Sequence, residues 1–451
     1  MDNKKNNQRD FGSGKMWRVI TAQAVPLTIA QLIQLLYNVV DRIYLGHLPG
    51  VGALALTGVG LVFPFTTLVL AFASLFSTGG SPLFSMARGA KDEERAKEIL
   101  GEIFTLILIT SVLLMAFCYI FCTPVLYLVG ASDETIIYAE GYLRIYLFGI
   151  LFSMITTGMN SFISALGYPT TAMWTTVIGA VLNLILDPIF IFAFGMGVQG
   201  AALATVISQC VSAIWVLHFL ISGRGGIPLK FSSMRLRAKT VARILGLGVS
   251  GFMQQATNFV VQIVCNVTLQ MWGGDLYVGI MTIINSVREI VSLPVQGITS
   301  GAQPVLGYNY GAKKNERVKE GIRFIAISGI AYTAVLWLII ELLPAPFIQI
   351  FSSDASLLEP GIRAMRLYFF GFVFMSLQFV GQYTFVALGK SRRAVFFSIL
   401  RKIVIVVPLT LLLPMLGGLG TDGVFIAEPV SNLLGGLACF MTMYLTLYRK
   451  L

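Results

Sequence analysis

The chain has 451 residues, 56% hydrophobic and 12% charged, with a mean hydropathy of +0.81; that balance excludes a soluble globular protein and marks a polytopic membrane protein. The formal net charge of +11 does not point to nucleic acid, because Lys and Arg punctuate apolar runs and form no continuous patch. Cys118, Cys122, Cys210, Cys265 and Cys439 match no disulfide or zinc spacing, and His47 and His218 are too far apart for a zinc or haem cluster.

Apolar runs of about 20 or more residues predict twelve helical spans, at 20–44, 53–86, 101–129, 138–165, 171–194, 199–221, 244–271, 276–308, 321–345, 361–388, 394–416 and 422–446. The first eighteen residues are polar and basic and lead into the first run with no small-residue cleavage site, so that span is read as uncleaved. Gly12-Ser13-Gly14-Lys15 lacks the spacer and preceding strand of a phosphate loop, so no ATP site is implied. Most of the 32 Lys and Arg fall in the amino-terminal tail, alternate connections and the carboxyl tail, with Arg401 and Lys402 counted among them. The opposite connections carry Asp133, Glu134, Asp275, Asp354, Glu359 and Asp422 but no Lys or Arg. The positive-inside rule therefore predicts a multi-pass cell-membrane protein with both termini cytoplasmic. Arg144, Arg288, Arg363 and Arg366 lie outside these clusters and are read as structural, snorkelling or pairing with Glu140, Glu289 or Glu359.

The sequence repeats itself at an offset of 222 residues: Pro82 aligns with Pro304, Gly89 with Gly311, Arg144 with Arg366, Tyr146 with Tyr368, and Gly149 with Gly371. Six spans per copy is an even number, so the halves share orientation and are related by an axis along the membrane normal, as in transporters. The predicted fold is all-α, with twelve transmembrane helices in two pseudo-symmetric six-helix bundles: 1–221 as the cation-site half, 222–243 as a cytoplasmic connector, and 244–451 as the second bundle.

In the fifth span Asn183 and Asp187 are four apart, so their side chains lie over one another on one helix face. Pro188 follows and cannot donate to the carbonyl of Leu184, which frees an oxygen in the same turn. An Asp at the centre of a hydrocarbon span costs about 2.5–3.5 kcal/mol, so its default reading is a functional site. Asp41 and Thr205 occupy similar depths near the outer ends of the first and sixth spans. Two carboxylates in a low-dielectric cavity resist joint ionisation, so the pair suits a site that holds a proton or releases it to Na⁺. Either ion fits; no other cofactor is implied.

At the 222 offset Asn183 maps to Ile405 and Asp187 to Leu409, so the second half lacks the pair. Thr205 maps one residue off that register to Glu428, free to bind a cationic substrate or to pair with Arg401. Amide-rich faces on the two first spans, Gln31, Gln34, Tyr37 and Asn38 in one half and Gln254, Gln255, Asn258 and Gln262 in the other, are candidate cavity linings. Met281 adds an adaptable apolar contact.

Pro294-Val295-Gln296-Gly297, Gly301-Ala302-Gln303-Pro304, Gly307-Tyr308-Asn309-Tyr310-Gly311-Ala312, Arg88-Gly89-Ala90-Lys91-Asp92, Ala427-Glu428-Pro429 and the run from Asn183 to Pro188 together resemble the multidrug and toxic compound extrusion family. The branch with paired acids in the amino-terminal half is the most similar. The resemblance implies an antiporter exporting bulky, often cationic drugs against inward Na⁺ or H⁺, with Asp41, Asn183, Asp187 and Thr205 at the cation site and Asn160 at a substrate contact. Some relatives carry an acid in the seventh span, where this chain offers only the amides of Gln254, Gln255 and Asn258. The expected protein is a monomer in the bilayer whose partners are small organic cations, and not an enzyme. Two alternatives stay open: a flippase for a lipid-linked precursor, which would need basic cavity residues for phosphate, and an intramembrane enzyme, for which no metal motif, Ser/Lys or Ser/His pair or paired-Asp protease motif is present.

Overall fold

The computed structural model describes residues 10–48, 51–129, 131–351 and 355–451; Asp354 lies outside them. Among the described residues there is no strand, and two compact units are built mainly from Val25–Gly251 and from Phe11–Ala24 with Phe252–Leu451.

The first unit begins within α1 (Met16–Gly46) and continues through α2 (Gly52–Gly60), α3 (Phe63–Gly89), α4 (Glu93–Leu128), α5 (Ile136–Phe148), α6 (Ile150–Ala165), α7 (Pro169–Pro188) and α8 (Gly197–Ile221). Asp92 starts α4 by accepting a bond from the Arg95 amide at 3.0 Å, with Glu93 and Glu94 in the first turn, where carboxylates complement both free N–H groups and helix dipole. The core runs from Leu45 through Phe76, Ile103 and Phe162 to Ile244.

In the second unit α9 (Ala238–Gly311) is one continuous assignment of 74 residues, but Gly274 at φ 66°, ψ −164° interrupts it, a conformation that essentially only glycine adopts. It is therefore two spans. After it come α10 (Asn315–Leu342), α11 (Pro344–Gln349), α12 (Ala355–Phe369), α13 (Phe372–Ala387), α14 (Ser391–Ile399), α15 (Val407–Leu412) and α16 (Thr421–Thr446). α5 with α6 and α12 with α13 are bent by 56° and 41°, so each pair is one broken span where the sequence predicts an uninterrupted helix. The breaks fall at Gly149 and Gly371, which the repeat aligns. Counting α9 twice and each bent pair once recovers the twelve expected spans.

The repeat extends to local geometry. Lys91 and Lys313 both take positive φ, 60° and 57°, and the following amides of Asp92 and Lys314 bond back to Ala87 and Asn309 carbonyls at 3.0 and 2.9 Å. This is the left-handed helix stop that satisfies orphan carbonyls.

Short segments of chain from each half are counted with the other unit. Phe11, Met16, Val19 and Ile20 join a core cluster of the second unit with Ala302, Val305 and Leu306. The Phe11, Gly12, Ser13 and Gly14 carbonyls accept bonds from Asn309, Lys314 and Arg317. Conversely the first turns of α9 belong to the first unit, where a Cβ added to Gly248 would meet the Leu75 carbonyl oxygen at 1.9 Å and one on Gly79 the Ile244 carbonyl oxygen at 2.2 Å. Glycine at both crossings lets the backbones touch.

Candidate functional sites in the two bundles

In the first unit, α7 ends at Pro188 and a π turn, Ile189–Ala193, takes over, as expected where proline removes a ladder donor. Just before it, Asn183 and Asp187 are buried, 3% and 1% exposed. Asn183 Nδ2 donates to Asp187 Oδ1 at 3.2 Å and to Thr205 Oγ1 of α8 at 3.4 Å, and Thr205 in turn donates to the Ala201 carbonyl at 3.0 Å. Asp41 of α1 stands against Asp187 at hydrogen-bonding range, and its Oδ1 is buried without a hydrogen-bond partner. Two carboxylates can share that range only through a proton or a cation, because an ionised carboxylate has no donor. The orphaned Asp41 oxygen, the Asp187 carboxylate and the Thr205 hydroxyl are oxygen donors of the kind that suit a hard monovalent cation, while Asn183 faces them with its Nδ2.

Two aromatic residues border this nest: Tyr142, which the sequence does not single out, and Tyr37, one of the candidate cavity linings. Tyr142 lies beside Thr205 and Asp41, stacked on Tyr146 with ring centroids 6.0 Å apart, and Tyr37 lies beside both Asp41 and Gln34. The only sequence signal was the alignment of Tyr146 with Tyr368 in the repeat. Gln34 is half-buried and Asn38 exposed on α1. Asn160 donates to the Ala172 carbonyl and accepts from Thr175 Oγ1, both at 3.0 Å.

In the second unit Gln254 and Gln255 are half-buried, Asn258 is exposed, and Met281 is 2% exposed inside an apolar cluster with Ile284 and Phe369. Glu428 is 5% exposed and already neutralised: Lys402 Nζ reaches both of its oxygens, at 3.0 and 3.3 Å, and Arg401 Nη1 reaches Oε1 at 3.4 Å while also binding Asn432 Oδ1. Arg401 and Lys402 sit in a π segment, Leu400–Val406, that interrupts the eleventh span. This corrects their placement among the cytoplasmic loop charges, since ten residues of helix beyond Ser391 carry Arg401 about 15 Å along the axis. Arg144 pairs with Glu140, Arg363 with Asp422, and Arg366 with the Glu341 carbonyl. Arg288 is the exception; its Nε is buried without a partner, near Glu428, Tyr368, Cys265 and Glu289. Among the described residues no three His, Cys, Asp or Glu side chains gather as a metal cluster.

A family model described as MatE matches residues 26–189 and 252–412, one block in each half. The multidrug export protein MepA of Staphylococcus saprophyticus is 24% identical over 435 residues, covering 96% of this chain and 95% of its own length. A crystal structure of MATE in the bent conformation superposes with a TM-score of 0.92 at 23% identity, over 99% of this chain and 98% of its own. An outward-facing multidrug resistance MATE family transporter of the MOP superfamily does so with a TM-score of 0.90 at 23% identity, over 96% of each chain. These structures carry the twelve-helix, two-bundle fold read from the spans above. With a matching block in each half of the chain, the protein belongs to the MatE family of multidrug and toxic compound extrusion transporters.

Proposed function

We propose that the protein is a secondary active antiporter that exports amphipathic, often cationic organic compounds across the cell membrane in exchange for inward Na⁺ or H⁺, and that it has no enzymatic activity. The observation that carries the reading is the pairing of Asp41 with Asp187 inside the Asn183–Thr205 network. A bundle that must hold two facing carboxylates binds a proton or cation strongly in one conformation and weakly in another, and only such differential affinity drives a conformational cycle. The export function carried in the name of the MepA relative supports the direction and cargo. In the proposed cycle the ion enters from outside, occupies Asp41 and Asp187, disfavours the cargo-bound outward state and promotes release. Gln34, Tyr37, Asn38 and Asn160 in one half and Gln254, Gln255 and Asn258 in the other supply cargo contacts. Both termini are cytoplasmic and the monomer is the working unit.

The test is efflux of a fluorescent cationic dye from proteoliposomes under separately imposed Na⁺ and proton gradients, in wild type, Asp187→Asn and Asp41→Asn. Gradient-driven efflux that depends on Asp187 identifies the coupling ion. Unimpaired efflux in Asp187→Asn under both gradients would make the nest a helix-kink network only. The flippase alternative gains from one observation, the buried Arg401 and Lys402 of the second unit, because it calls for basic groups that can receive phosphate.

A further inference from the structure

The charges of the second unit do not balance. Arg401 and Lys402 are 9% and 5% exposed, and with Arg288 they make three cations around one buried carboxylate, Glu428. Lys402 occupies both Glu428 oxygens and Arg401 uses only Nη1, on Glu428 and Asn432, which leaves its other donors free among the described residues. Arg288 makes no ion pair there at all, and its Nε is buried without a partner. Glu289, next in the chain, is exposed, and the other neighbours, Tyr368 and Cys265, carry no charge that could offset a guanidinium. Guanidinium groups do not deprotonate in proteins, so two arginines exceed one carboxylate whatever the state of Lys402. More buried cations than carboxylates leave positive charge to be offset, and an uncompensated buried charge is costly in a membrane interior.

The geometry points to an oxyanion site formed by Arg288, Arg401 and Lys402, taking the carboxylate, phosphate or sulfonate of an amphipathic organic molecule. Arg401 and Lys402 are adjacent and both face Glu428 from a π turn, a distortion found mostly at functional positions. The free guanidinium donors suit planar or tetrahedral oxyanions, which arginine binds through parallel N–H bonds. If the chain exports organic compounds, as proposed above, this site extends its cargo from cations to zwitterions and organic anions. The same chemistry also fits a phospholipid headgroup.

The test uses a matched pair, a xanthene dye with a free carboxylate and its ethyl ester, titrated into the purified full-length protein by fluorescence anisotropy and assayed for gradient-driven efflux. The acid should bind about tenfold or more tightly than the ester, the scale of a charge-assisted hydrogen bond. Arg288→Gln should erase that preference and Arg288→Lys should keep much of it, with efflux of the ester unchanged in both. Native mass spectrometry of the same preparations provides the second arm: an anionic phospholipid retained by wild type and lost from Arg288→Gln upholds the site and makes the headgroup its occupant. Equal binding of acid and ester, together with no Arg288-dependent lipid, overturns the proposal and leaves an internal ion network. If the ester is not moved under either gradient while the acid preference persists, the export reading fails and this site stands.

Discussion

The fifth span of the first bundle and its counterpart in the second carry opposite charges at neighbouring levels. In the first, Asn183 and Asp187 face Asp41 and Thr205, an acidic nest with no cation among its hydrogen bonds. In the second, the positions aligned with Asn183 and Asp187 are Ile405 and Leu409, and Arg401 and Lys402 stand one turn earlier against Glu428. Both spans contain a π segment, but after the acid in one and over the bases in the other. Duplication preserved the helix stops at Lys91 and Lys313 and the bends at Gly149 and Gly371, while the polar interiors diverged in sign. Backbone geometry is fixed by packing throughout a bundle, whereas a buried charge needs only its immediate partners to change with it.

The comparison breaks most sharply at Asp187. Asp187→Asn should abolish gradient-driven dye efflux in proteoliposomes, a loss of about a hundredfold or more, because Asp41 is left as a single carboxylate without the second acid that makes the pair exchange its ion; retained efflux would leave the acidic nest without a coupling role. Next comes Glu428→Gln, which strands Lys402 and Arg401 and should destabilise the protein by about 3–5 kcal/mol, read as a fall in melting temperature in detergent. The double variant Lys402→Met/Glu428→Gln should recover part of that loss, since removing both partners of a buried pair is better tolerated than removing one. Arg288→Gln, which breaks no ion pair, should leave the melting temperature near wild type while flattening the acid-over-ester preference. The smallest effect belongs to Thr205→Val. It removes the 3.4 Å bond from Asn183 and should cost about 1 kcal/mol or less, seen as a modest shift in the ion concentration that half-saturates efflux.

Much of the fold was legible because a bilayer imposes a length rule: all twelve apolar runs correspond to helices, and the offset of 222 aligns the two breaks that the run lengths alone conceal. The bends at Gly149 and Gly371 were not legible, since a glycine between two apolar helical stretches reads as either a bend or a packing position. The Asn183–Asp187–Thr205 nest could be read from spacing because two of its members lie on one helix face. Tyr142 could not, because an aromatic residue in an apolar span is ordinarily core, whereas Tyr37 stands out through the amides that surround it on α1. Arg401 and Lys402 were misplaced for a physical reason: bases ten and eleven residues into a span, close to a loop that holds Lys390, Arg392 and Arg393, look like an interfacial cluster. Only the tertiary partner Glu428, 26 residues beyond Lys402 in sequence, holds them inside.

The exchanged segment at the amino terminus also sets a timetable for synthesis. The Phe11 carbonyl accepts a bond from Asn309, 298 positions later, and Met16, Val19 and Ile20 share a cluster with Ala302, Val305 and Leu306. At translation rates of about 5–20 residues per second that partner emerges roughly 15–60 s after the first helix. The span that begins at Met16 must therefore wait, with that end unpacked, until the one carrying Ala302 and Val305 has been made. The segment from Phe11 to Ala24 is thus held over for the second unit, which it completes only once residues 302–317 have been made.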